Sequence, residues 1–137
     1  MGRGRAKRGP SYPFRVLGLE DPERQRLKEQ NDCSVLALTC VSGASYLEAH
    51  AAMASFGRLR GSGVRLCGLQ RVKLLGLRFR QIKAKGRRRE AFRNYPAGAF
   101  ILETAGHAFA LVDGVVFDSL VTPGEARLLR VWLAFSC

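Results

Sequence analysis

A two-residue Asp-Gly turn sets the geometry of one stretch of this chain, "GHAFALVDGVVFDS", which runs from Gly106 to Ser119. Asp113-Gly114 stands between two apolar runs, and tight hairpin turns favour this pair because both central positions take a positive φ. The turn then fixes which residues face one another: Val112 faces Val115, Ala110 faces Phe117, and Phe109 faces Asp118. The stretch therefore predicts a β-hairpin of defined register.

The same register predicts a partner for His107, one of two histidines in the chain. His107 shares a strand face with Phe109, so Asp118 lies diagonally across from it, within about 7–8 Å at the backbone. Asp113 lies at the turn, roughly 20 Å along the strand from His107, and is the poorer partner. Two interpretations stay open: the carboxylate fixes the tautomer of the imidazole, or the two side chains lie apart on the surface.

A candidate nucleophile stands in "EQNDCSVLAL", which runs from Glu29 to Leu38. The stretch "DCSVLALTCVSG" predicts a short helix with Asp32 as its N-cap and Gly43 at its end. Cys33 then lies at the helix start, where unpaired backbone N–H groups stabilise a thiolate. The alternative is a small buried hydrophobe, the interpretation that fits Cys40 in mid-helix. A thiol, an imidazole and an orienting carboxylate together form a nucleophilic catalytic arrangement.

Two further helices are predicted before residue 77. "ASYLEAHAAMASFG" carries a capping box of Ser45 and Glu48 and ends at Gly57. Its predicted buried face is formed by Leu47, Ala51, Met53 and Ala54. "VRLCGLQRVKLLG" has apolar residues at helical spacing and predicts a third helix that ends at Gly76.

The rest of the chain favours strands. "LRFRQIKA" alternates apolar and polar residues, and four apolar runs follow: "AFILET", "HAFALV", "VVFDS" and "RVWLAF". Between them, "GRRREAFRNY" predicts a short helix that ends before Pro96. Helices followed by an antiparallel sheet indicate an α+β fold, with the Cys33 helix packed on the sheet. Trp132 is expected in the core, and His50 is expected to be partly exposed rather than catalytic.

Length and hydropathy limit the organisation of the chain. The 137 residues suffice for one domain, predicted over 14–137 after a flexible basic arm over 1–13. No apolar run approaches the roughly 20 residues that span a bilayer, so no membrane partner is expected. No apolar segment follows the basic N-terminus as in a secretory signal, which predicts a cytoplasmic protein.

The formal net charge of +12 is concentrated in two segments that supply nine of those charges. One is the N-terminal "MGRGRAKRGP", and the other is "KAKGRRREAFR". The second segment contains the candidate polyanion-binding residues Lys83, Lys85, Arg87, Arg88 and Arg89. Either these segments bind nucleic acid or an acidic protein surface, or they are a solvated tail and loop. Few aromatic residues lie among the arginines to stack on bases.

The four cysteines, Cys33, Cys40, Cys67 and Cys137, are scattered along the chain. Structural zinc sites draw ligands from close sequence pairs, and none occurs here, so no metal is expected. A chain without a secretory leader favours free thiols over a disulfide framework. No organic cofactor is implied.

"QNDCSVLAL", followed much later by "GHAFALVDGVVFDS", resembles the papain-like cysteine peptidases. The likeness is greatest to the compact bacteriocin-processing (double-glycine leader) peptidases, and small phage-encoded proteins share the pattern. The resemblance covers about Gln30 to Ser119 and implies a papain-like fold that cleaves a peptide or isopeptide bond. It assigns Cys33 as nucleophile, His107 as base and Asp118 as orienting acid. The substrate would be a polypeptide, in the bacterial cytoplasm or in a virion if the gene is a phage's.

The chain departs from the family pattern at the oxyanion-hole glutamine. Lys28 and Leu27 stand where the family has this glutamine, which leaves Gln30 as the candidate donor beside the backbone N–H of Cys33. Two classes of function therefore remain. The first is a cysteine peptidase, and the second is a catalytically impaired papain-like protein that binds nucleic acid or an acidic partner.

Overall fold

The computed structural model describes residues 12–17, 21–119 and 124–136, which form a mixed α and β structure. Within these residues the strands are β1 Phe14–Val16, β2 Leu77–Ile82, β3 Ala99–Thr104, β4 His107–Val112, β5 Val115–Asp118 and β6 Arg130–Ser136. The helices are α1 Pro22–Arg26, α2 Cys33–Ser42, α3 Tyr46–Phe56 and α4 Ala91–Asn94. The predicted α+β class is confirmed.

The strands form one sheet in the order β1-β5-β4-β3-β6-β2. The β4–β5 hairpin has the predicted register, with Ala110 opposite Phe117, and its turn residue Asp113 has the predicted positive φ of 47°. The sheet is not wholly antiparallel as expected, because β1 pairs with β5 in parallel. This pairing joins residues about a hundred positions apart, and local sequence patterns carry no signal for such a contact.

Apolar residues cover both faces of the sheet. On one face, α2 and α3 pack against the sheet around Leu38, Met53 and Trp132, and Trp132 is buried as predicted. On the other face, the segment around α4 packs against residues that include Phe109 and Val131. The central strands β3 and β4 are therefore buried on both sides, which holds the start of β4 in a fixed position.

Two details of the predicted elements are corrected. The stretch 64–76 is not a helix, and only Leu69–Arg71 forms a 3₁₀ turn, because Gly68 and Leu75 take positive φ inside the stretch. Helix α3 has the predicted capping box, but it buries Tyr46, Ala49 and Met53 rather than Leu47, Ala51 and Ala54. The buried face of this helix therefore begins one residue earlier than the predicted face.

The chain ends fall partly outside the described residues. Residues 1–11 of the predicted arm and Cys137 lie there. Tyr12, which the prediction placed in the arm, is instead buried and packs in the core. Across the described ranges, no helix is long and apolar enough to cross a bilayer.

Candidate active site

Three predicted residues meet where α2 packs on β4 and β5. Cys33 is the first residue of α2, His107 begins β4 and Asp118 ends β5. His107 Nε2 lies 2.8 Å from Asp118 Oδ1 and 3.0 Å from Oδ2. The Cys33 thiol lies close enough to the imidazole to raise its pKa, and both side chains line the same two cavities. Because Nε2 contacts Asp118, Nδ1 is the nitrogen left for the thiol.

The surroundings of His107 favour its charged form. Burial lowers the pKa of the imidazole, but the bonds to Asp118 and to Cys33 outweigh it and raise the pKa to about 9. His107 is therefore an imidazolium at neutral pH. A cation in contact with a thiol favours the thiolate, which is the nucleophilic form of cysteine.

Asp118 is compensated by a second cation, Arg88. The Asp118 side chain is 1% exposed and that of Arg88 is 0% exposed. Arg88 Nη1 donates to Asp118 Oδ2 at 2.9 Å, and the Ser119 backbone N–H donates to Oδ1 at 2.7 Å. A buried carboxylate requires such partners, because an unpaired buried charge is costly. The site is thus a continuous series of contacts from Cys33 through His107 and Asp118 to Arg88.

This position of Arg88 corrects its prediction as a surface residue for polyanions. Its Nε donates to the Tyr12 hydroxyl at 2.7 Å, and its guanidinium carbon lies 4.4 Å from the centre of the Phe109 ring. Its backbone N–H donates to the Ala126 carbonyl at 2.8 Å, which fixes the 3₁₀ turn that carries it. Charge counting could not distinguish Arg88 from its neighbours, because its burial depends on distant parts of the chain.

The other four predicted polyanion residues remain at or near the surface. Lys83, Lys85 and Arg89 are exposed, and Arg87 is half-buried. Arg89 forms a 3.5 Å ion pair with Glu125, and Arg87 donates to the Glu125 carbonyl at 2.8 Å. Exposed ion pairs of this kind contribute little to stability.

Gln30, the candidate oxyanion donor, lies apart from the other three residues. It is exposed, and its amide nitrogen lies beside Gly61. Two cavities of about 470 Å³ and 290 Å³ are lined by both Cys33 and His107, and Gln30 lines neither of them. Asn31 lines the smaller cavity. The backbone N–H of Cys33 is unused by the helix, whose first bond runs from Leu36 N–H to Asp32.

The loop before Cys33 is held by a buried ion pair that no local sequence pattern predicts. Glu29 accepts from Arg58 at 2.9 and 3.0 Å, from the Gly61 N–H at 2.9 Å, and contacts His50 Nε2 at 2.5 Å. The bond from Arg58 is the main cause that holds the pKa of Glu29 well below its usual range, against the effect of burial. His50 is partly exposed, as predicted, and its contact with Glu29 belongs to this loop.

A second ion pair holds Asp32, the residue directly before α2. Asp32 accepts from Arg24 at 2.7 and 3.0 Å and from the Tyr46 hydroxyl at 2.7 Å. Asp32 occupies the N-cap position as predicted, but its side chain makes no capping bond to the helix. Burial tends to raise the pKa of Asp32, and the bonds from Arg24 and Tyr46 lower it below the usual value. Two ion pairs, one at Glu29 and one at Asp32, therefore hold the loop that leads into Cys33.

Comparisons of the chain with models of protein families, with curated proteins and with solved structures found no match. Within residues 12–17, 21–119 and 124–136, no group of three or more His, Cys, Asp and Glu side chains is arranged to hold a metal ion. The site is therefore interpreted from its own geometry.

Proposed function

We propose that the protein is a thiol hydrolase of the cysteine-peptidase type, with a papain-like arrangement of its catalytic groups. The observation that carries this proposal is that Cys33 and His107 line the same open cleft, while His107 is hydrogen-bonded to Asp118 behind it. The order of the three residues along the chain agrees with the resemblance noted in the sequence. Nucleophile, base and orienting acid are the parts that acyl transfer requires.

The reaction would proceed through a thioester on Cys33. The thiolate attacks the carbonyl carbon, and the Cys33 N–H at the start of α2 donates to the resulting oxyanion. His107 gives its proton to the leaving nitrogen as the C–N bond breaks. The neutral His107 then takes a proton from water, which attacks the thioester and releases the carboxylic acid, and this restores the Cys33 thiolate beside protonated His107. Asp118 holds the ring, and Arg88 holds Asp118.

Acyl transfer is testable with p-nitrophenyl acetate, which needs no specific pocket. We expect a burst of one nitrophenolate per protein and an acetyl group on Cys33, found by peptide mass mapping. Cys33→Ala should abolish the burst. Cys40→Ala is the matched control, because burial, only partly offset by a bond to Thr39, raises the pKa of Cys40 to about 11. Acetylation spread evenly over the cysteines, with no burst, would contradict the proposal.

A second candidate function is the binding of a polyanion such as nucleic acid. The supporting observation is a run of exposed cations on the edge strand β2 and the loop after it, formed by Arg78, Arg80, Lys83 and Lys85. Arg80 also lies over the ring of Phe135, 6.0 Å from its centre, and Phe135 is 39% exposed. Exposed cations beside an exposed aromatic ring are the parts of a single-strand binding surface.

This candidate is tested by fluorescence anisotropy with single-stranded DNA and RNA at about 50 mM salt, where phosphate contacts are strong. Replacing Lys83 and Lys85 with alanine should lower the slope of log affinity against log salt by about 1.4, since each lost phosphate contact on a single strand contributes about 0.7. Cys33→Ala should leave binding unchanged. Absence of binding to both nucleic acids at this salt concentration would end the candidate.

A further inference from the structure

The charge of the larger cleft can be read from its walls. The cleft of about 470 Å³ begins at Cys33 and His107 and extends between the loop 63–66, the β3–β4 turn and the start of β6. Its charged lining residues other than His107 are Arg65, Glu103 and Arg130. Which of these charges is free decides what the cleft attracts.

Both carboxylate oxygens of Glu103 already have partners within the protein. Its Oε1 accepts from Trp132 Nε1 at 3.1 Å, and its Oε2 lies 3.5 Å from Arg130 Nε. Arg65 is exposed, and it forms no ion pair with any residue in the described part of the chain. The cleft therefore has one acid that is paired with one cation, and a second cation that is free. Its net charge is positive, because the charges of a Cys33 thiolate and of protonated His107 offset each other.

The cleft also has apolar walls beside Arg65. Val64 and Leu129 both line it. Leu129 is 52% exposed, whereas a leucine that packs only in the core is buried. An exposed leucine and an unpaired guanidinium in one cleft match a peptide that has an apolar and an acidic side chain. The formal net charge of +12 would attract such a peptide over a longer range.

We propose that the cleft binds an acidic peptide segment, with Arg65 holding a substrate carboxylate near the bond that Cys33 attacks. This inference rests on the proposed thiol hydrolase function and names the substrate class of that site. The guanidinium of arginine matches a carboxylate with two parallel hydrogen bonds, which gives it geometric selectivity as well as charge. A basic side chain of a substrate would be repelled by the unpaired Arg65. It could pair with Glu103 only by displacing Arg130.

The test compares the alkylation of Cys33 by iodoacetate, an anion, with its alkylation by neutral iodoacetamide at low salt. The ratio of the two rates, divided by the same ratio for glutathione, reports the charge that the reagent meets. Arg65→Glu should lower this ratio about three- to tenfold, because it changes the nearby charge by two units. Arg93→Glu is the matched control: Arg93 is exposed on α4, outside the cleft, and the variant should keep the wild-type ratio within about twofold.

A reciprocal variant and a peptide make the test independent of one substitution. Glu103→Gln leaves an oxygen for Trp132 but frees Arg130, so it should raise the ratio. A short peptide of alternating Glu and Leu should also slow alkylation by iodoacetamide, and its Lys-for-Glu counterpart should not. Equal ratios in wild type, Arg65→Glu and Arg93→Glu, or equal protection by the two peptides, would overturn the acidic-peptide proposal. Absence of selective Cys33 alkylation by either reagent would instead overturn the thiol hydrolase function itself.

Discussion

Replacing Arg88 with leucine is expected to lower the free energy of unfolding by about 3–5 kcal/mol, because it removes one partner of a buried ion pair. The variant leaves the Asp118 carboxylate, which is 1% exposed, without its guanidinium partner. It also removes the bond to the Tyr12 hydroxyl and the cation above the Phe109 ring. Denaturant unfolding monitored by circular dichroism measures the loss.

Two variants separate this explanation from a general effect of lost charge. Arg89→Leu removes the neighbouring arginine, whose pairing with Glu125 is exposed, and should change stability by no more than about 0.5 kcal/mol. Combining Arg88→Leu with Asp118→Asn removes both buried charges and should recover much of the loss. Equal and small losses for Arg88→Leu and Arg89→Leu would show that the buried pair is not formed.

The second large effect concerns His107 and the reactivity of Cys33. At pH 6 an ordinary thiol is almost fully protonated and alkylates slowly. His107, whose pKa is raised to about 9, carries its proton at this pH and favours the thiolate beside it. We therefore expect His107→Ala to slow the alkylation of Cys33 about 30- to 100-fold at pH 6. Gln30→Ala is the control, because Gln30 lines neither cavity at Cys33.

The pH dependence follows from the proton that His107 carries. As pH rises through about 9, His107 loses its proton and no longer favours the thiolate electrostatically. Ordinary thiols ionise in the same range, so the advantage of Cys33 over them should shrink as the solution becomes alkaline. A large difference between Cys33 and Cys67 at pH 6 and a small one near pH 10 is the expected profile.

The parts of the site that could be predicted from sequence are the local ones. Asp113-Gly114 fixes the hairpin register by its own turn geometry, so the approach of Asp118 to His107 followed from counting along two strands. The start of the Cys33 helix and the capping box of the next helix also depend on residues close in sequence. These elements were found because their causes lie within a few residues.

The parts that were missed depend on contacts between distant residues. Arg88 looks like Arg87 and Arg89 until the fold brings Tyr12 and Asp118 to it. The pair of Glu29 with Arg58 likewise joins positions that no local pattern links. Apolar spacing over 64–76 resembled a helix, but Gly68 takes a φ of 88° and ends any regular turn there. Buried ion pairs and glycine geometry become visible only in three dimensions.

Iodoacetamide labelling at about pH 6, followed by peptide mass spectrometry, tests the Cys33–His107 pair most directly. The structure predicts that Cys33 is modified well before Cys40, Cys67 and Cys137, and that His107→Ala removes this preference. Equal and slow labelling of all four cysteines, or unchanged fast labelling of Cys33 in the His107→Ala variant, would contradict the ion pair on which the proposed function depends.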